Sequence, residues 1–422
     1  MGIGGRVLDG VRAVASAGIA PVRRRRGRRS AAAIPDASRR AGWVDVVMPV
    51  HDVERLVDAS ICSVLAQDHW RLRLIVLDDS SSDGTAQRVA RWAARDSRVR
   101  LVRVEHRDPN ATRNAGVALA EGEFLTFLDG DDVLRPGALR DLVGSLEASG
   151  ADFAVASYDR LERGRRTPPA FWIDEAHAAD RPSTSLERFP AILVNAVQWT
   201  KLYRRSFWDA ANLSFPEGGH FQDQLVSARA YARAASFDIL ARKTVDWRIR
   251  ADGSSMTQQG VRADQVHDRF ATALGALAVL ADESTDEVRR ARIAQVLSND
   301  AAIAAAELPG MGDEAFAALR DGLAGLAALA DEAIWAEVPA ESKVLYEFVL
   351  RGDRSRALEY LRRGGLDVLR HPLIQVEGMQ YIELPFWADD TVSVPLQRFL
   401  AAPRELRAYA ERAAERNSIL RR

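Results

Sequence analysis

Short apolar runs alternate with polar and helix-compatible stretches along the first half of the chain. The runs 44–50, 72–77 and 124–128 are rich in Val, Leu, Ile and Phe. That is the pattern of strands buried on both faces. Between them, 57–67 is apolar at helical spacing and 86–94 has helical composition. Strand, polar loop and helix therefore repeat, the unit of a doubly wound α/β sheet. Such a sheet places its ligands in a crevice outside the carboxyl ends of its strands.

Two of these strand ends are acidic. The run 124–128 closes in Asp129-Gly130-Asp131-Asp132, and 72–77 closes in Asp78-Asp79-Ser80-Ser81-Ser82-Asp83-Gly84-Thr85. Asp and Gly also favour simple turns. Three carboxylates within four residues repel one another, however. A divalent cation neutralises them simply, and hard oxygen ligands suit Mg²⁺ or Mn²⁺.

Beyond residue 260 the pattern changes. Segments 261–281, 285–307, 314–338, 342–350 and 355–363 are rich in Ala, Leu and charge at helical spacing. The stretch 375–395 predicts irregular or strand structure, and 404–421 a charged terminal helix. At the other end, Ile3, Val7, Leu8, Val11, Val14 and Ala15 share a helical face that several glycines weaken, and an Arg-rich cluster at 23–29 follows. The positive charge follows the apolar part, so a signal peptide is not expected, and Arg6 breaks the myristoylation pattern. The expected divisions are a basic tail at 1–42, disordered or interfacial; an α/β domain at 43–260; a helical domain at 261–365; and a mixed segment at 366–422 ending in a helix.

Composition narrows the classes. The 422 residues carry a net charge of −1, which does not favour nucleic acid as a partner. The single cysteine, Cys62, excludes an intrachain disulfide and points to a reducing compartment. No run reaches the roughly 18 apolar residues of a membrane span. Cytoplasmic placement is expected. Peripheral contact with the inner face of a membrane, through the N-terminal basic segment on anionic lipid, is the alternative to a plain basic tail.

In order along the chain stand Met48-Pro49-Val50-His51-Asp52, the Asp78–Thr85 turn, Ala111-Thr112-Arg113-Asn114-Ala115-Gly116, Phe127-Leu128-Asp129-Gly130-Asp131-Asp132, Lys201-Leu202-Tyr203-Arg204-Arg205 and Phe221-Gln222-Asp223-Gln224. Over roughly residues 43–255 this series resembles the inverting glycosyltransferases of family 2. The resemblance implies a GT-A fold, Rossmann-like and mostly parallel, with helices on both faces. His51-Asp52 and Gln222-Asp223 depart from the family's usual Tyr-Asn and Glu-Asp.

The resemblance also implies roles. Asp79, with Pro49 and Val50, would belong to the nucleotide pocket. Asp131 would ligate the metal, Asp129 would contact ribose or metal, and Asp132 would support them or touch the donor sugar. Arg113 and Asn114, expected to open a helix, would meet phosphate at its N-terminus, with a solvated helix residue as the plain alternative for Arg113. Asp223 matches the general base, though at a helix start it can equally be an N-cap. Arg250 and Ser254 would bind donor phosphates or merely end a strand. His51 and His220 are expected as satisfied polar residues, and Trp199 and Trp208 as core.

The helical extension resembles the part that follows this domain in bacterial wall teichoic acid glycosyltransferases. It can pack on the first domain, form a homo-oligomer or hold a polymer. The expectation is a metal-dependent enzyme using Mn²⁺ or Mg²⁺. It would move a sugar from a nucleoside-diphosphate sugar, UDP-linked, to a hydroxyl of a saccharide or polyol-phosphate polymer of the cell envelope. A nucleotidyltransferase-like enzyme and a non-catalytic nucleotide-binding scaffold are the rivals, and neither needs Asp223.

Overall fold

The computed structural model describes residues 39–250 and 261–420. The expectations for the N-terminal segment and for Ser254 lie outside them. Among the described residues no helix is long and apolar enough to cross a membrane. The chain divides into a sheet unit, containing the described residues up to 250 together with Ala278–Val288, and a helical unit formed by the remainder.

The sheet unit opens as the apolar pattern predicts. Strand β1 (Arg40–Val50) is followed by α1 (Val57–Leu65), β2 (Leu72–Asp79), α2 (Thr85–Arg95), β3 (Val99–Val104), α3 (Pro109–Leu119) and β4 (Gly122–Phe127). Strand β1 pairs in parallel with β2 on one side and β4 on the other, and β2 pairs in parallel with β3. The order therefore runs β3-β2-β1-β4. The winding reverses at β1, so the crevice opens where the carboxyl ends of β1 and β4 diverge. Their interiors, from Val44 to Met48 and from Phe124 to Phe127, are buried.

The rest of the sheet is mixed rather than mostly parallel. After the acidic turn come β5 (Val133–Leu134), α4 (Ala138–Ser149), β6 (Phe153–Glu162), β7 (Arg165–Thr167), α5 (Phe171–Ala176), β8 (Arg181–Thr184), β9 (Lys201–Arg204), α6 (Arg205–Ala210), α7 (Asp223–Arg233) and β10 (Phe237–Ile249). Strand β9 sits antiparallel between β4 and β6, while β10 runs parallel to β6. Strand β9 is only four residues long, too short to show a period in sequence.

Two close approaches position the crevice. Asp45, 1% exposed, accepts from the Arg73 guanidinium and from the amides of Glu121 and Gly122, which staples β1, β2 and the start of β4 together. Gly116 lets α3 lie directly on β1 and β2: a Cβ there would meet Val47 Cγ1 at 2.4 Å and Leu77 Cδ1 at 2.8 Å.

The helical unit has its own core, including Leu297, Leu319, Leu345, Phe348 and Tyr360. The expected 285–307 helix is Asp286–Gln295, a wider π turn over Val296–Asp300, and Ala301–Ala306. The expected 314–338 helix is also two, Asp313–Ala327 and Glu332–Glu337. Segment 375–395 contributes a hairpin, Leu373–Val376 with Met379–Ile382.

Gly116→Ala is expected to destabilise the sheet unit by about 1–2 kcal/mol, because overpacking outweighs the helix-propensity gain. The check is a fall of a few degrees in Tm. An unchanged Tm would show that α3 can lift off the sheet without cost.

Candidate active site

The acidic turn after β4 sits at the predicted crevice. Gly130 permits its tight fit: a Cβ would meet Val50 Cγ1 at 2.5 Å, and its carbonyl accepts from Ser60 Oγ at 2.9 Å. Each carboxylate has its own compensation. Arg113 Nη2 donates to Asp129 Oδ1 at 2.7 Å. Arg250 donates to Asp131 Oδ2 through Nε at 2.8 Å and lies 2.7 Å from it through Nη2. Asp132, 1% exposed, accepts the Arg248 amide at 2.8 Å, and Arg248 Nε caps the Asp131 carbonyl at 2.7 Å.

Burial pushes Asp131 above the ordinary carboxylate range, with Arg250 opposing and Asp129 adding to the rise. Asp132 is pushed well above it by burial and by its two acidic neighbours. Among the described residues, no three His, Cys, Asp or Glu side chains are grouped to hold an ion by themselves. The donor set still suits Mg²⁺ or Mn²⁺, because Mg²⁺ is commonly held by one or two carboxylates plus substrate phosphates and water.

Asp223 is the first residue of α7, and the cap position belongs to Gln222. The Asp223 side chain makes no cap bond and is half-buried. Burial raises its pKa, Arg113 and Lys201 oppose that rise, and Asp129 adds to it. Below it lies a buried polar network that motif matching does not resolve. Gln198 donates to the Asp223 carbonyl at 3.2 Å and to Ser227 Oγ at 2.8 Å, and accepts from Tyr203 OH at 2.7 Å. Lys201, fully buried, donates to the carbonyls of Asn195 and Val197 at 2.9 and 2.6 Å, and burial pulls its pKa down to about 7. Lys201 opens one piece of the motif series, but a Lys in a four-residue strand carries no sequence signal for this burial.

Arg113 and Asn114 do not open a helix. That helix starts at Pro109, capped by Asp108, so both lie in its middle. Arg113 still reaches the acidic turn and lies 5.5 Å above the Phe215 ring. Asn114 exchanges two hydrogen bonds with the Phe215 backbone, at 2.8 and 2.9 Å. The Gly218 amide donates to Asp108 at 2.6 Å. Helix α3 thus holds the loop that delivers Asp223.

On the other side of the crevice, both Asp79 oxygens are committed to the turn before α3. They accept from the amides of Arg107 and Asp108 and from Thr112 Oγ1, at 2.8–3.0 Å. Burial opposes the charge, yet these donors hold its pKa below the ordinary range. Val50 is 3% exposed and Pro49 is half-buried at the end of β1. His51 Nδ1 lies 2.7 Å from the Asp79 carbonyl, so that nitrogen carries the proton. Trp199 and Trp208 are core, at 7% and 2% exposure.

Asp132→Asn keeps an acceptor for the Arg248 amide and removes a disfavoured charge. A carboxyl with a raised folded-state pKa stabilises the fold while protonated and loses that contribution as pH rises. The variant should therefore melt higher than the wild type at pH 8 and equally at pH 4. A lower Tm at pH 8 would mean that the Asp132 charge is compensated.

Residues 45–208 match the family model described as Glycosyl transferase family 2. The succinoglycan biosynthesis protein ExoO of Rhizobium meliloti is 31% identical over 47% of this chain and 58% of its own length. The poly(ribitol-phosphate) beta-N-acetylglucosaminyltransferase TarS of Staphylococcus aureus is 24% identical over 53% of this chain and 38% of its own. The chain spans less than two thirds of the length of the curated relatives it matches first. Among solved structures, residues 1–349 of S. aureus TarS in complex with UDP-GlcNAc superpose with a TM-score of 0.63. That match has 19% identity and covers 81% of this chain and 97% of that one. The shared architecture is the GT-A fold, and residues 45–208 of this chain match a glycosyltransferase family 2 domain.

Proposed function

We propose that the protein is an inverting glycosyltransferase. It moves one sugar from a nucleoside-diphosphate sugar, a UDP-sugar, to a hydroxyl of a cell-envelope saccharide or polyol-phosphate polymer. The observation that carries this reading is Arg113. It pairs with Asp129 of the acidic turn, and its charge also acts on Asp223. One cation thus ties the donor side of the crevice to a half-buried carboxylate with nothing to cap. The UDP-sugar bound by TarS on the same fold supports the donor class, and the curated relatives support a cell-envelope acceptor.

Asp223 accepts the proton of the attacking hydroxyl. A single base and a single displacement invert the anomeric centre. Arg113 and Arg250 supply positive charge beside the departing diphosphate. Mg²⁺ or Mn²⁺, held by Asp131 with Asp129, would neutralise part of the charge that develops on that diphosphate. Asp79 holds the turn that begins α3, and Pro49 and Val50 floor the nucleotide side.

Asp223→Asn should lower kcat by about 10²–10⁴-fold while nucleotide affinity stays within twofold. Full turnover in this variant would sink the base assignment, and a wild type without turnover would favour the scaffold. The base works only when ionised, and its pKa is raised. The kcat/KM of the wild type should therefore climb with pH through an acid limb above the ordinary aspartate range, then level off. A profile flat down to pH 4 would contradict it.

UDP with Mn²⁺ should raise Tm. A ligand at a hundred times its Kd adds about 2.7 kcal/mol, a few degrees in a domain of this size. Asp131→Ala should lose the Mn²⁺-dependent part of that shift. An unchanged shift would remove Asp131 from the metal assignment.

A further inference from the structure

Lysine is nearly absent from this chain. Of its 58 cationic side chains only three are lysines, Lys201, Lys243 and Lys343. Lys243 pairs with Asp159 at 2.7 Å and lies 3.3 Å from Asp174. Lys201 is 0% exposed, and no carboxylate among the described residues lies within ion-pair distance of it. The carbonyls of Asn195 and Val197 meet its Nζ instead. Two carbonyls suit the three donors of an ammonium better than the five of a guanidinium, which accounts for a lysine at this place. A buried cation still calls for negative charge nearby.

Strand alternation sets where that cation points. Lys201 and Tyr203 share one face of β9, and Leu202 takes the other. Tyr203 OH donates to Gln198, whose amide holds the Asp223 carbonyl, so α7 covers the Lys201 face. On α7, Asp223, Ser227 and Tyr231 stand at i, i+4 and i+8, one stripe of the helix. Ser227 Oγ donates to the Ala196 carbonyl at 2.5 Å, and Tyr231 OH to the Asn195 carbonyl at 3.3 Å. The Tyr231 ring centre lies 5.5 Å from the Lys201 ammonium. The stripe therefore rests on the same 195–197 backbone that Lys201 holds, with Asp223 at its crevice end. Charged groups face Asp223 from three elements: Arg113 of α3, Asp129 of the acidic turn and Lys201 of β9. Around Lys201, burial keeps Tyr203 and Tyr231 well above the ordinary tyrosine range and holds His177 down to about 4, so all three are neutral. Asp223 is the carboxylate whose charge supports the ammonium.

We propose that Lys201 is the fixed counter-charge of the base, a positioning residue that holds Asp223 as a carboxylate while the donor is bound. This rests on the transferase reading above, in which Asp223 takes the acceptor proton. Arg113 cannot serve alone in that state. It already pairs with Asp129, and an arriving diphosphate competes for its guanidinium. The same diphosphate disfavours a second negative charge on Asp223. The Lys201 ammonium is closed off from the crevice and tied to two carbonyls, so the donor cannot draw it away. Burial pulls its pKa down to about 7, so the positive charge is present through the acid limb, where ionisation of the base is at stake. Lys201 exchanges no proton with substrate: the hydroxyl proton passes to Asp223.

The scarcity of lysine makes the coupling directly readable. The full chain is labelled with ¹³Cε-lysine, and its three signals are titrated in wild type and in Asp223→Asn, without substrate. Lys243→Arg together with either Lys201→Gln or Lys343→Gln assigns them. Asp223→Asn should move the Lys201 midpoint to lower pH, because the supporting carboxylate is gone. The Lys243 and Lys343 midpoints should stay in place.

Turnover supplies the second readout. With donor saturating, Lys201→Gln should move the acid limb of kcat to higher pH, losing about tenfold at its foot for each pH unit of that move. Most of the loss should be recovered by pH 8. Tyr203→Phe loosens the same network without altering charge, and its acid limb should not move. An unmoved Lys201 midpoint in Asp223→Asn overturns the inference, as does a Lys201→Gln variant that loses kcat equally at every pH. Should Lys201→Gln fail to fold, the lysine signals decide alone. Full turnover in Asp223→Asn defeats the base reading itself, whereas an inactive Asp223→Asn with an unmoved midpoint defeats the Lys201 role alone.

Discussion

The rest of the site depends on keeping Asp129, Asp131 and Asp132 together in a poorly solvated turn. Such charges cannot remain without opposite charge or hydrogen-bond donors. The fold delivers these from separate parts of the chain: Arg113 from α3, Arg250 from just beyond β10, and the Arg248 amide from β10 itself. Strand β5 follows the turn directly and pairs Val133 and Leu134 with Asp246 and Val245. That short ladder fixes the β10 register a few residues before Arg248 and Arg250, and so sets both arginines against the turn.

Helix α3 is the second organising element. Its close packing at Gly116 fixes its height above β1 and β2. From that height Asn114 pins Phe215, Asp108 holds Gly218, and Arg113 spans to Asp129. A displacement of α3 would therefore reach both sides of the crevice, the acidic turn and the loop before Asp223. The buried Gln198 and Lys201 fix that loop's far end through the Asp223 carbonyl and the 195–197 backbone.

Much of the site was legible in the residue order. The strands ending at 50, 79 and 127 announce themselves by largely apolar runs, and the last two lead directly into acidic turns. The helix begins before the expected start at Arg113: Asp108-Pro109, a cap followed by a proline at the first helical position, opens it. Lys201, Gln198 and Arg248 were not legible as site residues, because burial and backbone partners from distant segments define their roles. The Asp79 carboxylate likewise reveals its commitment to residues 107–112 only once β2 and α3 are adjacent.

By itself, then, the order of residues determined the α/β class, the switch-point crevice and which carboxylates stand at its rim. Those features follow from local apolar periodicity and from acidic residues joined covalently to strand ends. Tertiary structure decided which cation answers which carboxylate, and that β9 inserts antiparallel between β4 and β6. Register between strands far apart in sequence sets these relations. A shift of one residue would exchange the two faces of a strand, and no local pattern along the chain encodes that choice.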